Sequence, residues 1–297
     1  MERSEKRAFG AAVLALTMWS GTPVANKIAV SYMSGLTAGV LRSMLAAAIA
    51  LVAAIALRLP LPMSGKDRWL LIASGAASFA VWPALVSVGI ARTTASHAAV
   101  IMAMIPILTA LIAHLLDRRL PKPGWWFGAV TAFAATAVLV AAQSPNSASS
   151  KPAADLTGDL IVLAGSLVCA IGYVTGGKLS AKIGTTATTF WSLASALLLL
   201  LPLFGLIANQ TAWSAVPARG WLAIGWMTIL SSLVGYALWF YALGKGGIAK
   251  ISSLQLATPG VTIAAAAIIL SEDLTMQMIV VTAVIFAGTS WAHQHAR

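Results

Sequence analysis

The chain has 297 residues, of which 59% are hydrophobic and only 9% charged, with a mean hydropathy of +0.88. A soluble chain carries about 25% charged residues, so this composition excludes an ordinary soluble enzyme and describes a protein solvated by lipid. The formal net charge of +11 comes from basic residues in short gaps between apolar runs, with no recognition module among them, which argues against nucleic acid and for membrane orientation.

An apolar helix of about 20 residues crosses the ~30 Å hydrocarbon core. Ten such segments follow one another: Ala8–Val30, Leu36–Leu57, Trp69–Ala91, Thr94–Leu116, Trp125–Ala142, Thr157–Lys178, Thr186–Ala208, Gly220–Leu243, Gly247–Leu270 and Thr275–Ala292. Met1–Arg7 puts positive charge ahead of the first, but no small-x-small cleavage site follows, which predicts an uncleaved first span. The longest polar gap, Gln143–Asp155, is rich in Ser, Pro and Ala and falls at the midpoint. It divides the chain into a first five-helix repeat (1–145), a linker (146–156) and a second five-helix repeat (157–297).

With the N-terminus inside, fourteen lysines and arginines face the cytoplasm, three (Arg92, Lys151, Arg219) face outward, and two (Lys27, Arg42) lie within spans. The positive-inside rule therefore places both termini in the cytoplasm. Five spans per half would insert a duplicated half upside down. Duplication is visible: Ile90–Ala113 aligns without a gap on Leu243–Ala266, setting Pro106 on Pro259, and Ala84–Ala91 aligns with Ala237–Gly244 at the same offset. The expected fold class is an all-α integral membrane protein of ten transmembrane helices in two inverted five-helix repeats. Such repeats are typical of secondary transporters, which bind substrate near the midplane between the halves.

Polar groups inside hydrocarbon cost about 2.5–3.5 kcal/mol each on insertion scales, so they are candidates for function. Trp19, Thr22, Pro23 and Asn26 share one face of span one, either lining a cavity or packing beside a structural kink. Lys27 and Arg42 would attract a carboxylate or phosphate, or would snorkel to the interface. Trp82 with Pro83 in span three matches Tyr236 and Trp239 in span eight; Tyr173 adds an aromatic group in span six. These rings would wall a flat solute, or serve as anchors and core. His97 and Met102 precede Pro106, as Ser252 and Gln255 precede Pro259. The expected substrate-binding set is Trp19, Asn26, Arg42, Trp82, His97, Met102, Tyr173, Tyr236, Trp239, Ser252 and Gln255, with Pro23, Pro83, Pro106 and Pro259 as hinges. Spans five and ten, poor in polar side chains, are expected to be peripheral scaffold.

No Asp or Glu falls in the middle of a predicted span, which argues against a carboxylate proton relay. Cys169 is the single cysteine, so neither an intrachain disulfide nor a cysteine-based metal cluster can form. No metal or cofactor is expected, and no nucleophile turn or paired membrane aspartates suggest an intramembrane enzyme. The expected partners are a small-molecule substrate and the lipid bilayer; nothing in the chain speaks to oligomeric state.

Trp19-Ser20-Gly21 with Lys27, then Arg42, Tyr236-Ala237-Leu238, and Pro259 followed by Glu272 resemble the drug/metabolite transporter superfamily in its EamA-type branch. The first half departs from that pattern: Asp117 follows Pro106 by eleven residues, whereas Glu272 follows Pro259 by thirteen. Within the superfamily the chain is most similar to the YddG-type bacterial aromatic amino-acid exporters. That resemblance implies an inner-membrane carrier exporting aromatic and other apolar amino acids or related metabolites. Export of drugs or other metabolites is the alternative.

Overall fold

The computed structural model describes residues 3–116, 123–141, 155–246 and 258–294. Ser252, Gln255, Asp117, the start of the ninth expected span and nearly all of the expected linker lie outside the described residues. All regular structure within them is helical: α1 (Arg3–Ser20), α2 (Thr22–Val30), α3 (Gly35–Ala56), α4 (Gly65–Gly75), α5 (Trp82–Arg92), α6 (Ala95–Met102), α7 (Ile105–Leu116), α8 (Pro123–Ala141), α9 (Leu156–Ile183), α10 (Thr185–Ser195), α11 (Leu197–Ile207), α12 (Ala218–Gly225), α13 (Gly235–Gly246), α14 (Thr258–Leu270) and α15 (Met276–Gln294). Seven continuous or joined helices among the described residues are long and apolar enough to cross a membrane, and Thr258–Leu270 and Met276–Trp291 are shorter apolar helices.

Local chemistry sets the helix starts. Ser34, Ser64, Thr94 and Asp155 each accept a hydrogen bond from a backbone N–H in the first turn of α3, α4, α6 and α9. Span one, expected as one helix, is broken at Gly21, with Pro23 in the first turn of α2. Span four breaks likewise between α6 and α7, just ahead of Pro106. Spans three and eight carry π-helical turns, Ala76–Val81 and Trp226–Val234, at matching positions in the aligned halves. Span six runs on to Ile183, five residues past its expected end, and passes into α10 through Gly184 alone. At φ +84° and ψ 154°, Gly184 occupies backbone space that a side chain would oppose.

Large apolar side chains point outward around the bundle, among them Val52, Trp69, Leu198, Leu206 and Ile268. Such a surface suits acyl chains. Inside, several small cores pack between helices: Val40, Ala46, Leu193 and Leu200 join spans two and seven, and Met104, Ile107, Trp125, Ile263 and Ile285 join spans four, five, nine and ten. The pairings repeat. α1 packs on α13 as α5 packs on α9, α3 packs on α10, and α8 packs along α15.

Close approach depends on small residues where apolar side chains gain little by leaving lipid. A Cβ built on Gly35 would lie 2.5 Å from the Ser87 carbonyl oxygen, and one on Gly39 would lie 2.6 Å from the Pro83 carbonyl oxygen. Gly172 and Gly176 of α9 meet Ser74 and Ser78 in the same way, and the Ser74 hydroxyl donates to the Gly172 carbonyl at 3.1 Å. Gly39→Val forces spans two and three apart and is expected to cost about 1–3 kcal/mol, the scale of an overpacked contact. A thermal-unfolding midpoint for the detergent-purified variant equal to that of the wild type would contradict this packing.

Candidate functional site: a central cavity capped by a polar clasp

The kinks and π turns converge on a cavity of about 480 Å³, within the ~300–1,000 Å³ typical of small-molecule sites. Spans one, two, three, four, six, seven, eight, nine and ten contribute to its lining. Span ten supplies Thr282 and Phe286, so its expected role as mere scaffold is corrected: its sparse polar side chains misled because a phenyl ring walls a cavity as well as a hydroxyl does.

The aromatic wall is built by a reciprocal contact between spans one and eight. Trp19 Nε1 donates to the Ser231 carbonyl at 2.9 Å, and Trp226 Nε1 donates to the Met18 carbonyl at 3.1 Å. Each indole fits because a glycine faces it: a Cβ on Gly235 would sit 2.8 Å from Trp19, and one on Gly21 would sit 2.9 Å from Trp226. The Thr22 hydroxyl adds a hydrogen bond to the Ser231 hydroxyl at 2.8 Å. Tyr236 meets Trp19 edge-on at 5.1 Å between centroids, and Phe79 meets Tyr236 at 5.9 Å. Tyr173 lines the same cavity as Tyr236.

Prolines shape the same wall. Pro23, Pro83 and Pro106 have no N–H to give the carbonyls of Trp19, Phe79 and Met102, and all six residues line the cavity, as does Pro259. The polar part of the lining is sparse and partly unpartnered. Arg42 is only 7% exposed, and its Nε has no hydrogen-bond partner. Asn26 is fully buried with both amide atoms unpartnered, and the Ser78 and Thr258 hydroxyls are likewise unpartnered. Thr228, in the π turns of span eight, donates to the Arg42 carbonyl at 3.3 Å and fixes span two beside span eight.

Of the residues expected to bind substrate, Trp19, Asn26, Arg42, Trp82, Met102, Tyr173 and Tyr236 line the cavity together. Trp239 does not: it is 7% exposed and packs on the far side of Trp19 against Ala11, Ala12 and Ala15, where the turn of α13 carries it. His97 does not either, because its Nδ1 lies 3.1 Å from the Asp159 carboxylate. Thr22, Ser78, Phe79 and Ser231 belong to the lining but not to the expected binding set; the 3–4 residue spacing of Thr22 from Trp19 and of Ser78 and Phe79 from Trp82 was the available signal, whereas Ser231 stands five residues from Tyr236.

Beyond the Asn26 end of the cavity, a polar clasp ties five spans, one, three, four, six and nine. The Lys27 ammonium donates to the Ile90 carbonyl at 2.8 Å and to that of Thr93. The Thr93 hydroxyl donates to Asp159, which is fully buried. Glu272 accepts from the Ala95 and Ser96 amides at 2.8 and 3.0 Å and from the Ser96 hydroxyl at 2.6 Å. A carboxylate there complements the positive end of the α6 dipole. It also joins span nine to span four. At the opposite end Lys182 pairs with Asp67 at 2.5 Å, and Trp191 donates to the Leu59 carbonyl at 3.2 Å.

A bundle with an apolar exterior, spans broken at mid-depth and a shared internal cavity defines an α-helical membrane transporter. The chain belongs to the EamA-like transporter family, whose model matches it twice, over residues 6–141 and 156–292. It is 30% identical over 288 residues to the uncharacterized transporter YdeK of Bacillus subtilis (strain 168), covering 96% of each chain. It is 26% identical to the uncharacterized inner membrane transporter YedA of Escherichia coli (strain K12), over 86% of this chain and 80% of that one. A solved structure known only as "Crystal structure of protein" shares the fold with a TM-score of 0.63 at 18% identity, covering 99% of this chain and 98% of that one.

Glu272→Gln removes the charge that holds the start of α6 and should weaken the clasp by about 1–2 kcal/mol. Hydrogen exchange of the Ala95 and Ser96 amides is then expected to quicken roughly 5- to 30-fold. Unchanged exchange there would show that the carboxylate does not hold this end together.

Proposed function

We propose that the protein is a carrier that exports small organic solutes, with aromatic and other apolar amino acids as first candidates, by alternating access and without a carboxylate proton relay. The observation that carries this reading is a cavity walled from both matched halves by aromatic and apolar groups, with no Asp or Glu among the described lining residues. Offset ring contacts add about 0.5–1.5 kcal/mol per pair, which suits a flat solute. A carrier of drugs or other metabolites would use the same wall and is the second reading; intramembrane catalysis is the least supported.

In this reading ten spans form two inverted five-helix repeats, 1–145 and 157–297, joined by 146–156. Support comes from the double family match, from the paired π turns, and from α1 packing on α13 as α5 packs on α9. The protein would sit in a bacterial inner membrane with both termini cytoplasmic, as the distribution of basic residues argues. Pro23, Pro83, Pro106 and Pro259 would be the hinges. Ser252 and Gln255 belong to the proposed binding set by alignment with the corresponding part of span four.

Radiolabelled amino acids in proteoliposomes test the proposal. Saturable counterflow is expected for aromatic substrates, with Trp19→Ala and Gln255→Ala each lowering it about tenfold, the effect of ~1.4 kcal/mol. Normal transport of every substrate by both variants would overturn the binding set, and flux that never saturates would indicate a channel. Accessibility labelling should find both tails on the cytoplasmic face; tails on opposite faces would exclude the inverted pair.

A further inference from the structure

Resting on the carrier reading above, we infer that the cavity selects its cargo by an acidic group: the substrate's carboxylate docks on Arg42, and organic acids of net negative charge are preferred to zwitterions or amines bearing the same ring. Arg42 is the one lining residue with a formal charge among those described, it makes no ion pair with any described residue, and its Nε has no hydrogen-bond partner. A guanidinium cannot shed its proton to escape burial, and its planar fork fits a carboxylate in two-point contact. The missing countercharge is therefore a property the ligand supplies.

Among the described residues, no acidic side chain is paired with Arg42. The two carboxylates in the clasp at the Asn26 end are engaged elsewhere, Asp159 with Thr93 and His97 and Glu272 with the start of α6. Asp67 is held by Lys182 at the opposite end of the bundle. The same scarcity decides the other half of the selectivity. An α-ammonium entering the cavity meets hydroxyls, an amide and ring faces but no opposite charge, while Arg42 repels it. Neutral dipoles hold a buried cation less well than an ion pair does. The ring of the cargo then lies against Trp19, Tyr236 and Phe79, with Tyr236 within electrostatic range of Arg42.

Three probes of similar size separate these charges at pH 7: 3-phenylpropionate, phenylalanine and phenethylamine. Their binding to the purified full-length protein in nanodiscs is read calorimetrically and by tryptophan fluorescence. The expected order of affinity is phenylpropionate, then phenylalanine, then phenethylamine, with each step severalfold or more. Arg42→Gln should weaken phenylpropionate about 10- to 100-fold, the range for losing a charge-assisted hydrogen bond, and should leave phenethylamine unchanged or improved; Arg42→Lys should recover part of the loss. The wild-type order alone tests the proposal should Arg42→Gln fail to fold. Phenethylamine binding as tightly as phenylpropionate would overturn it, as would an unaltered order in Arg42→Gln. Counterflow of the same three probes separates the two readings. The expected binding order without counterflow upholds the anion site and removes the carrier, whereas counterflow indifferent to charge upholds the carrier and removes the anion site.

Discussion

Hydrocarbon offers no hydrogen bonds, and the rest of this structure depends on that constraint. Every backbone polar group within it must find its partner inside the protein. Long α-helices solve the problem for most of the chain, and the exceptions cluster where spans one, three, four and eight are broken or widened. There, indoles from the facing span take up carbonyls: Trp19 on Ser231 and Trp226 on Met18. A regular helix would have no use for these donors. The irregular backbone is tolerated because it faces the protein interior.

Polar and apolar interactions hold different parts of the bundle. Helices approach one another through glycine and serine: Gly35 and Gly39 meet the backbone of α5, and Gly172 and Gly176 meet Ser78 and Ser74. Toward the Lys27 end, charged groups take over, each matched to carbonyls, a hydroxyl or a helix start. Of the eight buried side-chain polar atoms without a partner among the described residues, five belong to the cavity lining: both amide atoms of Asn26, Arg42 Nε and the Ser78 and Thr258 hydroxyls. Unmatched polarity concentrated at one place is what a site for an exchangeable ligand requires.

Much of the architecture was legible in the sequence. Hydropathy located spans because a lipid-facing helix must be apolar over most of its length, and Pro106, which aligns with Pro259, marked the break in span four. Helical spacing put Trp19, Pro23 and Asn26 on one face, and all three line the cavity. Two residues of the expected binding set lie outside the lining, for reasons that spacing cannot reveal. Trp239 lies one helical turn from Tyr236, yet the tilt of α13 turns it into the alanine face of α1. His97 is claimed by Asp159, sixty-two positions away, and no local pattern announces that pairing. The π turns were invisible for a similar reason: Trp226–Val234 contains no proline, and the Trp19 indole that meets its Ser231 carbonyl comes from span one, 212 positions away.

The grip of Glu272 on the first turn of α6 has a kinetic side. It links a helix of the second half to one of the first through two amides and a hydroxyl. Any movement that parts the halves at that end must trade all three bonds for water at once, since the carboxylate is short and the amides are adjacent. Thr93 and His97 of the first half meet Asp159 of the second at the same end, so a parting there would have to break these bonds as well as the three of Glu272.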